Sequence, residues 1–280
     1  MCLDLVKAGD RLVAVGERGH VLLSDDAAKS WRQAAEVPTR TTLTALHVTD
    51  AKTLWAAGHG GVILQSTDAG EHWRIAAGKA DGPDVLLAIR VEPDGRGLAV
   101  GGFGAALATR DGGKSWNAAP LLPGEAGEKH LNRIAVTAAG TWLITAEGGQ
   151  VLRSTDRGDS WTAVKTPYAG SLWCALALAD GSVLAGGMRG NVLRSRDDGR
   201  SWTQQAIAEA GSITAIAELG DHRVVLVGVD GTLATAAPGA EAFVFKRLDD
   251  RATLTGVVPL STRELVLASM GGMRVVSLES

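Results

Sequence analysis

One eight-residue box, Ser/Thr-x-Asp-x-Gly-x-x-Trp, recurs five times along this chain and limits what it can fold into. The copies run Ser24–Trp31, Ser66–Trp73, Thr109–Trp116, Ser154–Trp161 and Ser195–Trp202, with Ala28 replacing the glycine in the first. Five residues before each Ser/Thr stands a glycine: Gly19, Gly61, Gly104, Gly149 and Gly190, and the register continues to Gly231 and Gly272. The spacings are 42, 43, 45, 41, 41 and 41 residues. A period of this length means stacked units, each unable to bury its apolar surface alone.

Each unit reads as four short strands. In the second they are expected at Leu43–Val48, Thr53–Ala57, Gly61–Ser66 and Trp73–Ala76, joined by turns rich in Gly, Asp and Thr. The second strand recurs as an apolar run closed by a small residue, as in Leu54–Gly58 and Val224–Gly228. Such runs suit strands covered on both faces. No segment sustains a helical period. Four-stranded units of about 40–50 residues are propeller blades. The chain therefore reads as all-β, a seven-bladed β-propeller forming a single domain over 1–280. Its blades should begin near residues 3, 43, 85, 131, 172, 213 and 254.

The box chemistry reads as turn chemistry. Asp26, Asp68, Asp111, Asp156 and Asp197 would accept backbone N–H bonds within their own turns. The following glycine supplies a positive φ. Trp31, Trp73, Trp116, Trp161 and Trp202 would open the fourth strands and lie between blades, which explains 8 Trp beside 1 Tyr and 3 Phe. In the sixth unit Phe243 falls at the tryptophan position and Pro238 at the aspartate. The seventh blade is expected to have three strands, its third, Met273–Leu278, an open edge available for pairing with another chain.

Strands alternate in direction, so the turns between strands two and three share a face with the crossovers between blades, and the boxes lie opposite. The crossover-side turns vary while the scaffold repeats, so a partner-binding face is sought there. Its residues are Glu17, Arg18, His20, His59, Phe103, Glu147, Gln150, Met188, Arg189, Asn191 and Asp230, with Arg40, Lys79, His130, Arg133, Tyr168 and Trp173 from crossovers and the segments next to them. Such a mixture of Arg, Glu, His, Met and aromatic residues suits a protein partner.

Other chemistry is thinly supported. The net charge of −3 lacks the basic excess of a nucleic-acid binder. The longest apolar run, Leu172–Ala179, falls short of the roughly 20 residues a membrane helix needs. Six histidines show no metal-binding spacing, and the Gly-rich turns precede strands, so neither metal nor nucleotide cofactor is expected. Cys2 and Cys174 fall in different blades and read as free thiols.

The box resembles the Asp-box, or bacterial neuraminidase, repeat. The stretch Ala56–Trp73, a Gly-x-x-Gly hairpin running directly into the box, is similar more narrowly to the photosystem II stability/assembly factor-like family. Gly16–Gly19, Gly58–Gly61, Gly101–Gly104, Gly187–Gly190 and Gly228–Gly231 match that hairpin; Ala146 and Ser269 depart at its first glycine. The resemblance implies a non-enzymatic seven-bladed scaffold assisting assembly or stability of a membrane protein complex. It places the protein in the periplasm or a lumen, with the cytoplasm as the alternative. Asp-box propellers also include sialidases, so a glycoside hydrolase using the crossover face is the rival reading. It would need Tyr168 beside a carboxylate and converging arginines.

Overall fold

The computed structural model, described for residues 1–78, 82–207, 209–239 and 242–278, is a ring of seven β-sheets, each built from consecutive antiparallel strands. The innermost strands are Cys2–Ala8, Leu43–Val48, Leu86–Val91, Leu131–Val136, Leu172–Ala177, Ile213–Glu218 and Leu254–Pro259. They begin within a residue of the positions expected from the repeat. Six blades have four strands and the seventh has three, Leu254–Pro259, Glu264–Ser269 and Gly272–Ser277.

The core lies between the blades. Each adjacent pair shares one cluster of buried apolar side chains. Second strands such as Leu54–Gly58 and Val224–Gly228 are buried along their whole length, because a neighbour covers each side. Trp73 packs into the cluster joining blades one and two, Trp116 that of two and three, Trp161 that of three and four, and Trp202 that of four and five. Trp31 does the same between blades seven and one, so the ring closes by ordinary blade packing. Phe243 keeps this place between blades five and six, and Leu278 takes it between six and seven.

Strand edges depart from the sequence reading for local reasons. The third strand of blade two starts at Ile63, because Gly60 and Gly61 form the turn with φ of 66° and 62°. Its fourth strand starts at Arg74, one residue after the tryptophan. The Trp73 N–H bonds instead to the Glu36 carbonyl in the crossover leaving blade one, at 3.0 Å. The tryptophan thus ties its blade to the previous one through its backbone as well as its ring.

Every innermost strand begins with a bulge. Residues one and three pair with consecutive residues of the second strand in all seven blades. The bulged second residue reaches the next blade where it is polar. Asn132, Thr214 and Thr255 donate to the carbonyls of Leu172, Leu254 and Cys2 at 2.8, 2.7 and 2.9 Å. The last of these joins blade seven to blade one.

Candidate functional site

The two faces of the ring use their polar groups differently. On the box face the hydroxyl of Ser24, Ser66, Thr109, Ser154 or Ser195 donates to the carboxylate two residues on, at 2.7–2.9 Å. The same oxygen accepts the N–H of the fifth box residue at 2.8–2.9 Å. The aspartate then accepts the N–H of the seventh box residue at 2.9–3.0 Å. Where that residue is Ser30, Ser115, Ser160 or Ser201, its hydroxyl donates to the second carboxylate oxygen. In blade two His72 Nδ1 takes that role at 2.8 Å.

These bonds hold the carboxylates ionised. The Ser30 hydroxyl and N–H bring Asp26 down to about 2, and the Ser115 N–H and hydroxyl do the same for Asp111. The Ser160 hydroxyl and N–H hold Asp156 at about 2. At Asp68 partial burial works upward, but the N–H and ring of His72 override it, again to about 2. Each box aspartate is committed to its own turn. In blades two and four the sixth box residue reaches the preceding blade instead. Glu71 pairs with Arg32 of blade one at 2.7 Å, and Asp159 with Arg96 and Arg110 of blade three at 2.9 and 2.5 Å.

On the crossover face the turn between strands two and three hangs on the backbone behind it. The N–H of Glu17, His59, Gly102, Glu147, Met188, Val229 or Met270 bonds the carbonyl just before the blade's first strand, at 2.9–3.3 Å. That approach explains the first glycine of the hairpin. A Cβ on Gly16, Gly58, Gly101 or Gly228 would lie 2.0–2.1 Å from that carbonyl oxygen. At Ala146 the backbone rotates to φ −140° and ψ 179°, against −174° and −151° at Gly16, and so admits a methyl group. The last glycine is needed twice over: Gly149 has φ 66°, and a Cβ there would sit 1.5 Å from the Tyr168 carbonyl.

Between these glycines one residue stands in the left-handed region. It is Gly60 in blade two and Gly148 in blade four, but Arg18, Phe103, Arg189 and Asp230 in blades one, three, five and six, with φ of 53–56°. For L-residues this conformation costs roughly 1–2 kcal/mol. These side chains stand at the tips of the turns. Phe103 is 72% exposed and meets His130 edge-on with ring centroids 4.6 Å apart. Its N–H points at His130 Nδ1, 3.4 Å away. The His130 backbone N–H donates to Glu147 at 3.1 Å.

The remaining residues singled out from the sequence are spread around this rim. Glu17 holds the N-terminal amine at 3.2 Å. His20 and His59 are exposed. Tyr168 donates its hydroxyl to the Met188 carbonyl at 3.2 Å, and Asn191 donates to the same carbonyl at 2.8 Å. Asp230 lies 3.3 Å from Arg247. Gln150 is 4% exposed and corrects the sequence reading: it opens the third strand and its side chain turns inward, as Thr232 does at the same position. Lys79 lies outside the described residues.

Arg133 also departs from expectation. It is the third residue of blade four's innermost strand, and its Nη1 reaches Asp4 of blade one at 3.1 Å. A seven-fold alignment of that position holds the signal: Asp4, Ala45, Ala88, Arg133, Cys174, Ala215 and Gly256. One acid and one base stand among five small residues. Among the described residues, no three of His, Cys, Asp and Glu are grouped to hold a metal ion. Among these residues, too, no helix is long and apolar enough to cross a membrane.

Residues 79–244 match the family described as photosynthesis system II assembly factor YCF48. The chain belongs to that family. A solved YCF48 bound to D1 peptide is similar over 100% of this chain and 93% of its own, at 16% identity and a TM-score of 0.79. YCF48 from Cyanidioschyzon merolae covers 98% of this chain, with 94% of its own covered, at 16% identity and a TM-score of 0.73. Virginiamycin B lyase from Staphylococcus aureus is similar over 99% of this chain and 95% of its own, at 12% identity and 0.82. At these identities the likenesses to solved structures show the fold alone. A search of curated proteins finds no match.

Proposed function

We propose that this YCF48-family chain is a non-enzymatic scaffold that docks a protein partner on its crossover face. The partner is an extramembrane segment of a membrane protein complex whose assembly or stability it assists, from the periplasmic or lumenal side. One observation carries the reading. The crossover face sets an exposed phenylalanine, Phe103, at the tip of a turn held by backbone hydrogen bonds, while the box face consumes its polar groups in its own turns. Met1, Phe103, Met188 and Met270 are large apolar side chains left exposed on this face, and exposed aromatic and Met side chains are typical anchors. The solved YCF48–D1 peptide complex gives a family precedent for a peptide-bearing partner. Tyr168, with its hydroxyl on a backbone carbonyl, favours the scaffold over the sialidase-like reading.

A photocrosslinking residue placed at 103, and for contrast at Ile75 on a blade flank, tests this in host membranes. Crosslinks to an integral membrane protein from position 103 and none from position 75 are expected. Equal labelling from both positions, or turnover of fluorogenic glycosides by the purified chain, would overturn the proposal.

A further inference from the structure

The channel running down the ring axis has a second unusual position. The fifth residue of the innermost strands is Val6, His47, Arg90, Ala135, Leu176, Ala217 and Val258. The two polar residues are in blades two and three, next to blade four with its Arg133. A cavity of about 250 Å³ opens among these strands, lined by His47, Arg90, Arg133, Ala135, Leu176 and Ala177 among others. The Arg133–Asp4 pair stands at its crossover end. The other lining residues follow the strands toward the box face, so this cavity is separate from the proposed docking face.

Its charges are arranged in a definite way. Asp4 is 5% exposed, and its Oδ2 accepts both Arg133 and the Leu46 N–H, the latter at 2.8 Å. Arg90 Nε donates to Glu92 at 2.5 Å. Among the described residues each guanidinium thus gives a single N–H to a single carboxylate, out of five it carries. The forks that could take a second carboxylate in bidentate fashion remain unspent. His47 lies 3.0 Å from the Val91 carbonyl through Nε2, which must donate because a carbonyl only accepts. Burial, and then Arg90 and Arg133, push its pKa down to about 4. The ring is neutral at pH 7, and both guanidiniums act on it. Cys174, beside Arg133 in the next blade, remains a thiol, since burial raises it to about 12.

We propose that this cavity binds a small monocarboxylate with a short aliphatic body. Its carboxylate is held by Arg90 and Arg133, and its body rests on Ala135, Leu176 and Ala177. Charge limits the ligand to one carboxylate: Asp4 and Glu92 already offset the two arginines, so an added negative charge is met by guanidinium hydrogen bonds alone, and a dianion would double that charge in a restricted channel. Size argues for a short chain. At about 30 Å³ per water, the space equals roughly eight waters, enough for a body of a few carbons.

Isothermal titration of the full chain with butyrate and isovalerate, and with inorganic phosphate and glutarate as comparisons, tests the proposal. Monocarboxylate binding is expected, and Arg90→Gln should weaken it about 10- to 100-fold, as for loss of a charge-assisted hydrogen bond. Ala177→Leu, which fills the cavity while keeping both arginines, should abolish it; if that variant misfolds, Ala135→Val makes the same test. Circular dichroism melts confirm that each variant is folded. No binding of either monocarboxylate, binding unchanged in Arg90→Gln and the filled variant, or tighter binding of phosphate or glutarate would each overturn it. None of these results depends on a partner at the crossover face.

Discussion

The box face and the crossover face are built from the same seven repeats, and both bend the chain through residues of positive φ. They differ in where the polar atoms go. In a box the hydroxyl, carboxylate and two backbone N–H groups satisfy one another within eight residues. In a crossover-side turn the backbone is committed to the carbonyl behind it, and the side chains vary from blade to blade, from Asp230, paired with Arg247, to the exposed Phe103. Chemical reactivity on paper is therefore a poor guide to function. The aspartates look active and are consumed, whereas an aromatic without titratable groups, Phe103, is the better candidate for contact.

The sharpest break in this comparison would come from the glycines that hold the crossover turns. Gly149→Ala should destabilise the protein by about 2–6 kcal/mol, combining left-handed strain with a collision against the Tyr168 carbonyl. Gly60→Ala, with a similar φ of 66° and nothing within 4 Å of its Cβ, should lose only about 1–2 kcal/mol. Urea midpoints of the two variants separate close approach from backbone strain. Equal losses would mean that the carbonyl contact is not what demands glycine.

Next comes the box. Ser66 is 1% exposed and serves Asp68 and Gly70. Ser66→Ala should cost about 1–3 kcal/mol by leaving the Gly70 N–H unpaired, with crosslinking from position 103 unchanged.

The same network predicts an acid limit. A carboxyl whose folded pKa is depressed contributes stability above its unfolded value near 3.9, and that contribution disappears as pH falls toward the folded value. With Asp26, Asp68, Asp111 and Asp156 at about 2, these contributions should be flat above pH 5 and decline from about pH 4 to 2. His72, raised by its bond to Asp68, acts in the opposite sense, its contribution lost as pH rises through its folded value. Urea midpoints across pH 2–7 should therefore show the drop, and Asp111→Asn should make it shallower.

The smallest effect on stability should attend the tip. Phe103→Gly relieves a left-handed phenylalanine but loosens the unfolded chain, for a net change within about 1 kcal/mol. Partner crosslinking from a second crossover-face position, Arg189, should nonetheless fall. A large loss of stability here would move Phe103 from contact residue to structural residue.

Sequence alone determined the number of blades, their order, and the role of the box aspartates. The period counts the units, and each box closes its bonds within one turn, so nothing distant is needed to read it. Even the degenerate sixth box was legible, because Phe243 kept the register of the tryptophans. Tertiary structure decided what the channel contains. Asp4, His47, Arg90 and Arg133 come from four blades and meet only because the ring closes. Their orientation also depends on the bulge after the first residue of each innermost strand, which breaks simple alternation. The same limit applies to Gln150, whose burial follows from the pleat of its strand and the neighbour that covers it, not from its place beside a turn.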